Sequence, residues 1–323
     1  MLRHDWSLAE LKEIYELPLL DLVFRAAKVH RRFQDAREIQ LCHLISIKTG
    51  GCTEDCKYCA QSARYQTKVK AEPFMNLDEV VQRARRAQRL GTTRVCLGAA
   101  WRQVRESRQW GKILAMIRQL TEDGIEVCCT LGMLQEPQAK QLKEAGLYAY
   151  NHNLDTSDWY YPKIISTRSF TERLLTLAKI RSAGIFLCTG GIVGLGEKKE
   201  DRLRLLQILS SFTPHPESVP INRLEAMKGT PLEGTPKISV WELIRTIALA
   251  RIIMPKTMVR LAAGRRHMSD FAQALCFLAG ANSIFIGEKL LTAENASLEE
   301  DLQLLQTLSL RPRPSFKEQS KNA

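Results

Sequence analysis

Short β-rich runs alternate with helix-length amphipathic runs along most of this chain. Amphipathic patterns such as Leu77–Leu90, Phe170–Ala183 and Val240–Met254 separate the β-rich runs. The eight strand candidates cover roughly residues 43–48, 94–98, 125–131, 147–153, 185–191, 218–224, 257–262 and 282–286. Repeated strand–helix units predict an α/β protein with a closed (β/α)8 TIM-type barrel. A doubly wound open sheet is the alternative, because alternation alone does not establish closure.

The predicted barrel leaves short segments at both ends of the chain. We expect an N-terminal helical extension over residues 1–40, the barrel over residues 41–310, and a short disordered tail over residues 311–323. The length of 323 residues suits one barrel. No internal repeat or linker composition divides the chain, so the sequence predicts one domain.

Three cysteines follow the first predicted strand with the spacing Cys-x3-Cys-x2-Cys: Cys52, Cys56 and Cys59. Iron–sulfur clusters are usually closed by four thiolates, so three thiolates leave one iron open for a small molecule. An open metal site indicates chemistry rather than a structural role. This run resembles the signature of the radical S-adenosylmethionine (SAM) enzymes. Tyr58, just before the last cysteine of the run, could stack on the adenine of SAM. A zinc site completed by His43 is the alternative for this stretch alone.

Further cysteines recur at similar depth on several predicted strands. They are Cys96 on the second strand, Cys128 and Cys129 on the third, and Cys188 on the fifth, while Arg260 lies on the seventh. Alternate residues of a strand point into a barrel, so these side chains can converge on its axis. Three thiolates and an arginine could hold a second, smaller cluster. Only one of Cys128 and Cys129 should face inward, and the sequence leaves open which one.

The remaining thiols have an ordinary interpretation. Free cysteines often behave as small buried hydrophobic residues, and we expect this of Cys42, Cys129 and Cys276. Nine cysteines in a chain of this length, without the basic start and apolar run of a secretory signal, favour reduced thiols in the cytoplasm. No apolar stretch approaches the length of a membrane-spanning helix.

Positive charge is concentrated in one part of the chain. The net charge is +12, and residues 81–118 contain ten Lys or Arg residues but a single acid, Glu106. Such a window is usually a solvated helix face, although it could dock an acidic electron donor. The window has few aromatic residues and no recognisable nucleic-acid module, so nucleic-acid binding has little support.

Longer segments make the resemblance more specific. From about Trp6 to Leu310 the chain resembles the biotin synthase family. The matching stretches are Ser46-Ile-Lys-Thr-Gly-Gly-Cys, Gly98-Ala-Ala-Trp, Tyr150-Asn-His-Asn-Leu-Asp-Thr-Ser, Gly190-Gly-Ile-Val-Gly-Leu-Gly-Glu, Ser218-Val-Pro-Ile-Asn and Ala279-Gly-Ala-Asn-Ser. The resemblance implies radical sulfur insertion that converts dethiobiotin to biotin. It also implies a low-potential donor such as flavodoxin or ferredoxin, the iron–sulfur assembly machinery, and a homodimer.

The same resemblance implies roles for individual residues. Cys52, Cys56 and Cys59 would bind a 4Fe–4S cluster that reduces SAM, and Cys96, Cys128, Cys188 and Arg260 would bind a 2Fe–2S cluster that supplies sulfur. Asn153 and Asp155 would lie near the ribose and amino group of SAM, Arg173 near its carboxylate, and Asn151 and Asn222 near the ureido ring of dethiobiotin. His152 receives no role. Two alternatives remain: a radical SAM barrel enzyme without sulfur insertion, and a metal-cluster carrier that docks on nucleic acid through residues 81–118.

Overall fold

The computed structural model describes residues 2–287 and 289–315, in which eleven α-helices and ten strands are found. The strands are β1 Glu38–Lys48, β2 Arg94–Ala99, β3 Glu126–Thr130, β4 Ala149–Asn151, β5 Phe186–Cys188, β6 Gly191–Val193, β7 Ser218–Arg223, β8 Met258–Leu261, β9 Ser283–Ile286 and β10 Arg311–Pro312. The helices are α1 Leu8–Tyr15, α2 Leu19–Phe33, α3 Leu77–Arg89, α4 Arg108–Glu122, α5 Glu136–Glu144, α6 Tyr161–Ile164, α7 Phe170–Ser182, α8 Lys199–Ser210, α9 Val240–Ile253, α10 Asp270–Leu278 and α11 Leu298–Thr307.

Eight parallel strands close into a barrel. They follow the order β1-β2-β3-β4-β5-β7-β8-β9, and β9 returns to β1 with Gln40 opposite Ser283 and His43 opposite Ile286. The prediction of a closed barrel is confirmed, and the open sheet is excluded. All eight strand candidates are present with ends that differ by a few residues, as expected for strand boundaries.

The fifth strand is interrupted, which the sequence did not predict. The predicted run 185–191 forms β5 and then β6, and both pair with β7. Between them, a Cβ atom on Gly190 would lie 2.0 Å from the carbonyl oxygen of Pro220. Only glycine permits this close approach of two backbones. The break therefore comes from tertiary packing against β7.

Both ends of the chain pack on the barrel. Helix α2 packs against α9, and α1 contacts α8 and α9. Strand β1 begins at Glu38, within the predicted helical extension, because Glu38 and Ile39 pair in parallel with Arg311 and Pro312 of β10. Residues 311–313 of the predicted tail are thus held beside β1, and residues 316–323 of that tail lie outside the described residues.

The core has two layers separated by the strands. Ile39, Leu41, Ile45 and Ile47 of β1 belong to the large apolar layer under the helices. A smaller cluster inside the barrel contains Cys96, Cys128, Ala149 and Cys188. This arrangement follows from the alternation of side chains along a strand. Within the described part of the chain, no helix is both long enough and apolar enough to cross a membrane.

Candidate active site

The three-cysteine loop follows directly after β1. Pairing between β1 and β2 shifts register between Ser46 and Lys48, and Gly50 and Gly51 then adopt φ of 71° and 69°. The loop folds back on itself through two backbone bonds: Cys52 N–H donates to Gln61 O at 2.9 Å, and Ala63 N–H donates to Cys52 O at 2.7 Å. Positive φ favours glycine, so the two glycines allow the turn that presents all three thiols from one loop.

Acidic residues between the cysteines attach this loop to the segment before α7. Asp55 accepts hydrogen bonds from the backbone N–H groups of Ser166 at 2.9 Å and Thr167 at 3.1 Å. Glu54, whose side chain is buried, forms an ion pair with Arg102 at 3.0 Å and accepts a hydrogen bond from Thr167 Oγ1. Partial burial raises the pKa of Asp55, but hydrogen bonds from Ser166 and Thr167 outweigh it and lower this pKa to about 2. After Cys56, Lys57 N–H donates to Ile164 O at 3.1 Å, so the loop is fixed on both sides of Cys56.

The three thiols fit a polynuclear iron–sulfur group. Burial raises the pKa of Cys56 to about 12 and that of Cys59 to about 11, although Arg173 and Arg168 oppose the rise at Cys56. Iron would displace these protons, because metal ligation deprotonates thiols. Across the described ranges, no group of three or more His, Cys, Asp or Glu side chains is arranged around a single metal ion. Thiolates are the usual ligands of iron–sulfur clusters, so the chemistry of this donor set suits a cluster.

A cavity of about 330 Å³ extends from this loop into the barrel. It connects Tyr58 and Cys59 at the loop to Cys96 and Arg260 inside the barrel. The predicted site residues in its wall are Tyr58, Cys59, Cys96, Asn151, Asn153, Asp155, Arg173, Asn222 and Arg260. The other predicted ligands, Cys52, Cys56, Cys128 and Cys188, are not among its lining residues. The structure thus brings one thiol of each predicted metal site to the wall of one cavity.

The interior thiols come together through the strand register. Cys96 and Cys128 lie opposite each other in the β2–β3 pair, and both belong to the interior cluster with Cys188. Cys129 instead packs in the apolar layer under the helices, so Cys128 is the inward-facing residue of the two. A hydrogen bond with Cys128 lowers the pKa of Cys188 well below its usual value; burial opposes this effect and Arg260 adds to it. The pKa of Cys96 is lowered as well, again chiefly by a hydrogen bond with Cys128.

Arg260 on β8 contacts this thiol cluster. Its Nη1 lies 3.6 Å from Cys188 Sγ, and its Nε donates to Ser283 Oγ at 2.9 Å. Asn151 Nδ2 also lies 3.3 Å from Cys188 Sγ. The fully buried guanidinium offsets thiolate charge in an environment of low dielectric constant. Three thiols and Arg260 form a donor set that could hold a small iron–sulfur group.

A buried ion pair forms one wall of the cavity. Arg173 Nη2 donates to Asp155 Oδ2, Arg173 Nη1 donates to Asn153 O at 2.5 Å, and Arg173 Nε donates to Tyr161 Oη at 2.7 Å. Helix α7 begins with a capping box formed by Ser169 and Glu172, which fixes its first turn and the adjoining Arg173. The wall offers a cation and an anion side by side, as a zwitterionic ligand would require.

The predicted substrate contacts are amides held in place by backbone groups. Asn222 Nδ2 donates to Gly191 O at 3.1 Å, and Asn222 Oδ1 accepts from Ala263 N–H at 3.2 Å. Asn151 Nδ2 also lies 3.2 Å from Asn153 Oδ1. These bonds orient both amides toward one cavity, although they come from strands β4 and β7.

Several cavity and interior residues were not predicted. Arg168 and His152 line the cavity, and Nε2 of the buried His152 has no hydrogen-bond partner within the described ranges. Burial lowers the pKa of His152 well below its usual value, and Arg173 and Arg168 lower it further. Gln40 and Ser283 contact Arg260. The even-numbered residues of β1, including Gln40, point into the barrel. The alternation of side chains along this strand could therefore have predicted that Gln40 lies in the interior.

Two family models match consecutive parts of the chain. The model of the Radical SAM superfamily matches residues 46–209, and the model of the Biotin and Thiamin Synthesis associated domain matches residues 220–311. The first range contains both sets of cysteines in the predicted site. The second contains Asn222 and Arg260.

Similar proteins match over nearly the whole chain. Biotin synthase of Cytophaga hutchinsonii is 54% identical over 316 residues, covering 98% of this chain and 94% of that protein. The mitochondrial biotin synthase of Arabidopsis thaliana is 56% identical over 318 residues, covering 98% and 84%. The chain belongs to the biotin synthase family. It is a radical SAM enzyme and a sulfurtransferase, and its superfamily implies a 4Fe–4S cluster and SAM as cofactors.

Solved structures support the fold of this biotin synthase family member. The crystal structure of methylornithine synthase (PylB) has a TM-score of 0.81 at 18% identity and covers 97% of this chain and 96% of that one. The maturase HydG of Carboxydothermus hydrogenoformans has a TM-score of 0.80 at 18% identity, covering 95% and 76%. At this identity the likeness concerns the fold alone.

Proposed function

We propose that the enzyme inserts sulfur between two unactivated carbons of dethiobiotin and thereby makes biotin. The observation that carries this proposal is the continuous cavity between Cys59 in the three-cysteine loop and Cys96 with Arg260 in the interior. A reaction that generates a radical at one metal group and takes sulfur from another requires one substrate to reach both. The volume of about 330 Å³ suits a small organic ligand.

The two proposed metal groups would divide the chemistry between them. Cys52, Cys56 and Cys59 would hold the 4Fe–4S cluster, and Cys96, Cys128, Cys188 and Arg260 would hold a 2Fe–2S cluster. When bound, these groups and SAM supply a 5′-deoxyadenosyl radical and a sulfur atom. The side chains would orient the reactants within the barrel.

For SAM, we propose the wall formed by Tyr58, Asn153, Asp155 and Arg173. Arg173 would receive the carboxylate, Asp155 and Asn153 the amino group and ribose, and Tyr58 the adenine. Guanidinium and carboxylate groups form strong charge-assisted hydrogen bonds with such partners. Besides its sulfonium, SAM brings one carboxylate and one ammonium, so its amino-acid end can bind beside the buried Arg173–Asp155 pair with these two charges matched.

For dethiobiotin, we propose Asn151 and Asn222 as partners of the ureido ring. A side-chain amide has two N–H donors and two acceptor lone pairs. Each asparagine can therefore keep its bonds to the barrel wall and still donate to, or accept from, the ring. This use of neutral amides suits a neutral ring.

The partners that we propose are a low-potential electron donor such as flavodoxin or ferredoxin, the iron–sulfur assembly machinery and, from the family resemblance, a second copy in a homodimer. The proposed location is the cytoplasm. The basic window 81–118 does not form one surface, because Arg94 is buried against Glu126 and Arg85 pairs with Asp123 at 2.8 Å. Arg86 and Arg89 remain exposed on α3, where an acidic donor would dock.

The test is an anaerobic reaction of reconstituted enzyme with SAM, a reductant and dethiobiotin, followed by mass spectrometry. We expect biotin together with 5′-deoxyadenosine and methionine. Cys188→Ser should form deoxyadenosine without biotin, and Cys276→Ser, which changes a thiol in the helix-facing core, should form both. Deoxyadenosine without biotin from the unaltered enzyme would reject the substrate or the sulfur source.

A further inference from the structure

Cys42 lies inside the barrel beside the proposed auxiliary site. It is fully buried on β1, between Arg94 of β2 and Phe285 of β9 in the strand register. Leu41 on the same strand packs in the helix-facing layer. The sequence prediction treated Cys42 as an ordinary buried thiol, but its side chain shares the interior with the three predicted cysteine ligands.

One guanidinium contacts both Cys42 and a proposed ligand. Arg260 Nη2 lies 3.2 Å from Cys42 Sγ, and Arg260 Nη1 lies 3.6 Å from Cys188 Sγ. Cys42 Sγ is also 3.6 Å from both Gln40 Oε1 and Ser283 Oγ. Because the two Nη atoms belong to one planar group, the two sulfur atoms flank the position that Arg260 would occupy as a ligand.

We propose that Cys42 is a reserve fourth ligand for the interior iron–sulfur group, able to replace Arg260. This inference rests on the proposed function, which assigns Cys96, Cys128, Cys188 and Arg260 to that group. Four thiolates are the usual ligands of a 2Fe–2S cluster. A protonated guanidinium has no free lone pair, whereas a thiolate is a strong ligand for iron.

The replacement balances in atoms and charge. In the unaltered chain, Cys42 would give up its thiol proton on binding iron and the displaced Arg260 nitrogen would take one up; in Arg260→Ala that proton would pass to solvent. The contact between Cys42 Sγ and Arg260 Nη2 joins the donor and the acceptor of that proton. Neither an oxidant nor a further reactant is needed.

The experiment compares Arg260→Ala with Arg260→Ala/Cys42→Ser after anaerobic reconstitution. Iron and sulfide per chain, visible absorption and the EPR spectrum of the reduced protein report the interior cluster without any assay of turnover. We expect Arg260→Ala to keep this cluster with an altered spectrum and the double variant to lose it. Arg260→Ala/Cys276→Ser is the matched control, because Cys276 lies in the helix-facing core, and it should behave like Arg260→Ala.

Retention of the 4Fe–4S signal in the double variant shows that the chain has folded. Equal interior iron in Arg260→Ala and in Arg260→Ala/Cys42→Ser would overturn the role of Cys42. Loss of the interior cluster from Arg260→Ala alone would overturn it too. If the unaltered chain carries no interior cluster, it is the proposed function that fails, so the two failures are distinguishable.

Discussion

Cys128 and Cys129 are adjacent on β3, but their side chains lie on opposite faces of the barrel wall: Cys128 inside with Cys96, and Cys129 under the helices. This difference makes them a matched pair. Cys128→Ser should lose the interior cluster and biotin formation, because it removes a proposed ligand. Cys129→Ser should keep both and lose only some stability. Iron analysis and the anaerobic assay check this, and the reverse pattern would assign the ligand to Cys129.

The interior ion pair between Arg94 and Glu126 should matter to stability. Their side chains are each 1% exposed, and the N–O distance is 3.1 Å. Glu126→Gln leaves a buried guanidinium without its carboxylate, so we expect a loss of roughly 3–5 kcal/mol in the free energy of unfolding. Urea unfolding of the apoprotein measures it. Asp123→Asn, which breaks the surface pair with Arg85, should cost about 1 kcal/mol or less; equal losses would contradict this account.

Asp55 should hold the cluster loop to the segment before α7. In Asp55→Ala, the amides of Ser166 and Thr167 lose their acceptor, and their hydrogen exchange at neutral pH should quicken. Asp158→Ala, which removes a surface ion pair with Arg204, is the control and should leave both amides protected.

Asp55 also predicts an acid dependence. Its pKa in the folded protein is about 2, below its ordinary value of 3.8. Its stabilising contribution is therefore present above about pH 4 and lost as the pH falls toward 2. The difference in apoprotein stability between wild type and Asp55→Ala should shrink across that window. A constant difference would show that the charge of Asp55 is irrelevant.

Gly190 should resist substitution. Its Cβ position lies 2.0 Å from Pro220 O, so Gly190→Ala forces β5 and β7 apart. Overpacking of this kind destabilises by about 1–3 kcal/mol. Gly111 in α4 has no atom within 4 Å of its Cβ position, and Gly111→Ala should stabilise by about 0.5–1 kcal/mol. Thermal unfolding of both variants tests this, and a stabilised Gly190→Ala would refute the steric explanation.

His30 should make the protein sensitive to mild acid. Burial, followed by the charges of Arg251 and Arg31, lowers the pKa of His30 from 6.5 to about 3. Between these values the unfolded chain binds a proton that the folded chain does not, so stability falls as the pH drops below 6.5. His30→Gln should flatten this slope in denaturant titrations, and the exposed His267→Gln should not. An unchanged slope in His30→Gln would remove His30 as its cause.

The alternation of strand-like and helix-like runs predicted the barrel, because the β-rich runs depend on local burial. It could not predict the break at Gly190 or the short β10, since both depend on partners distant in sequence, Pro220 and Glu38–Ile39. Likewise, the alternation of side chains along a strand shows that one of Cys128 and Cys129 faces inward. Only the register with Cys96 decides which one.

Strand β1 pairs with three strands, leads directly into the three-cysteine loop and carries Cys42 on its interior face. A slip of one residue in a strand exchanges its two faces. A single insertion or deletion between Glu38 and Cys42 would therefore turn Cys42 toward the helices and Leu41 into the thiol cluster. Point substitutions elsewhere in β1 do not change which side chains face the interior and which face the helices. Length changes in this strand are consequently a more severe class of mutation than residue changes, and natural variation in loop length should be confined to segments outside it.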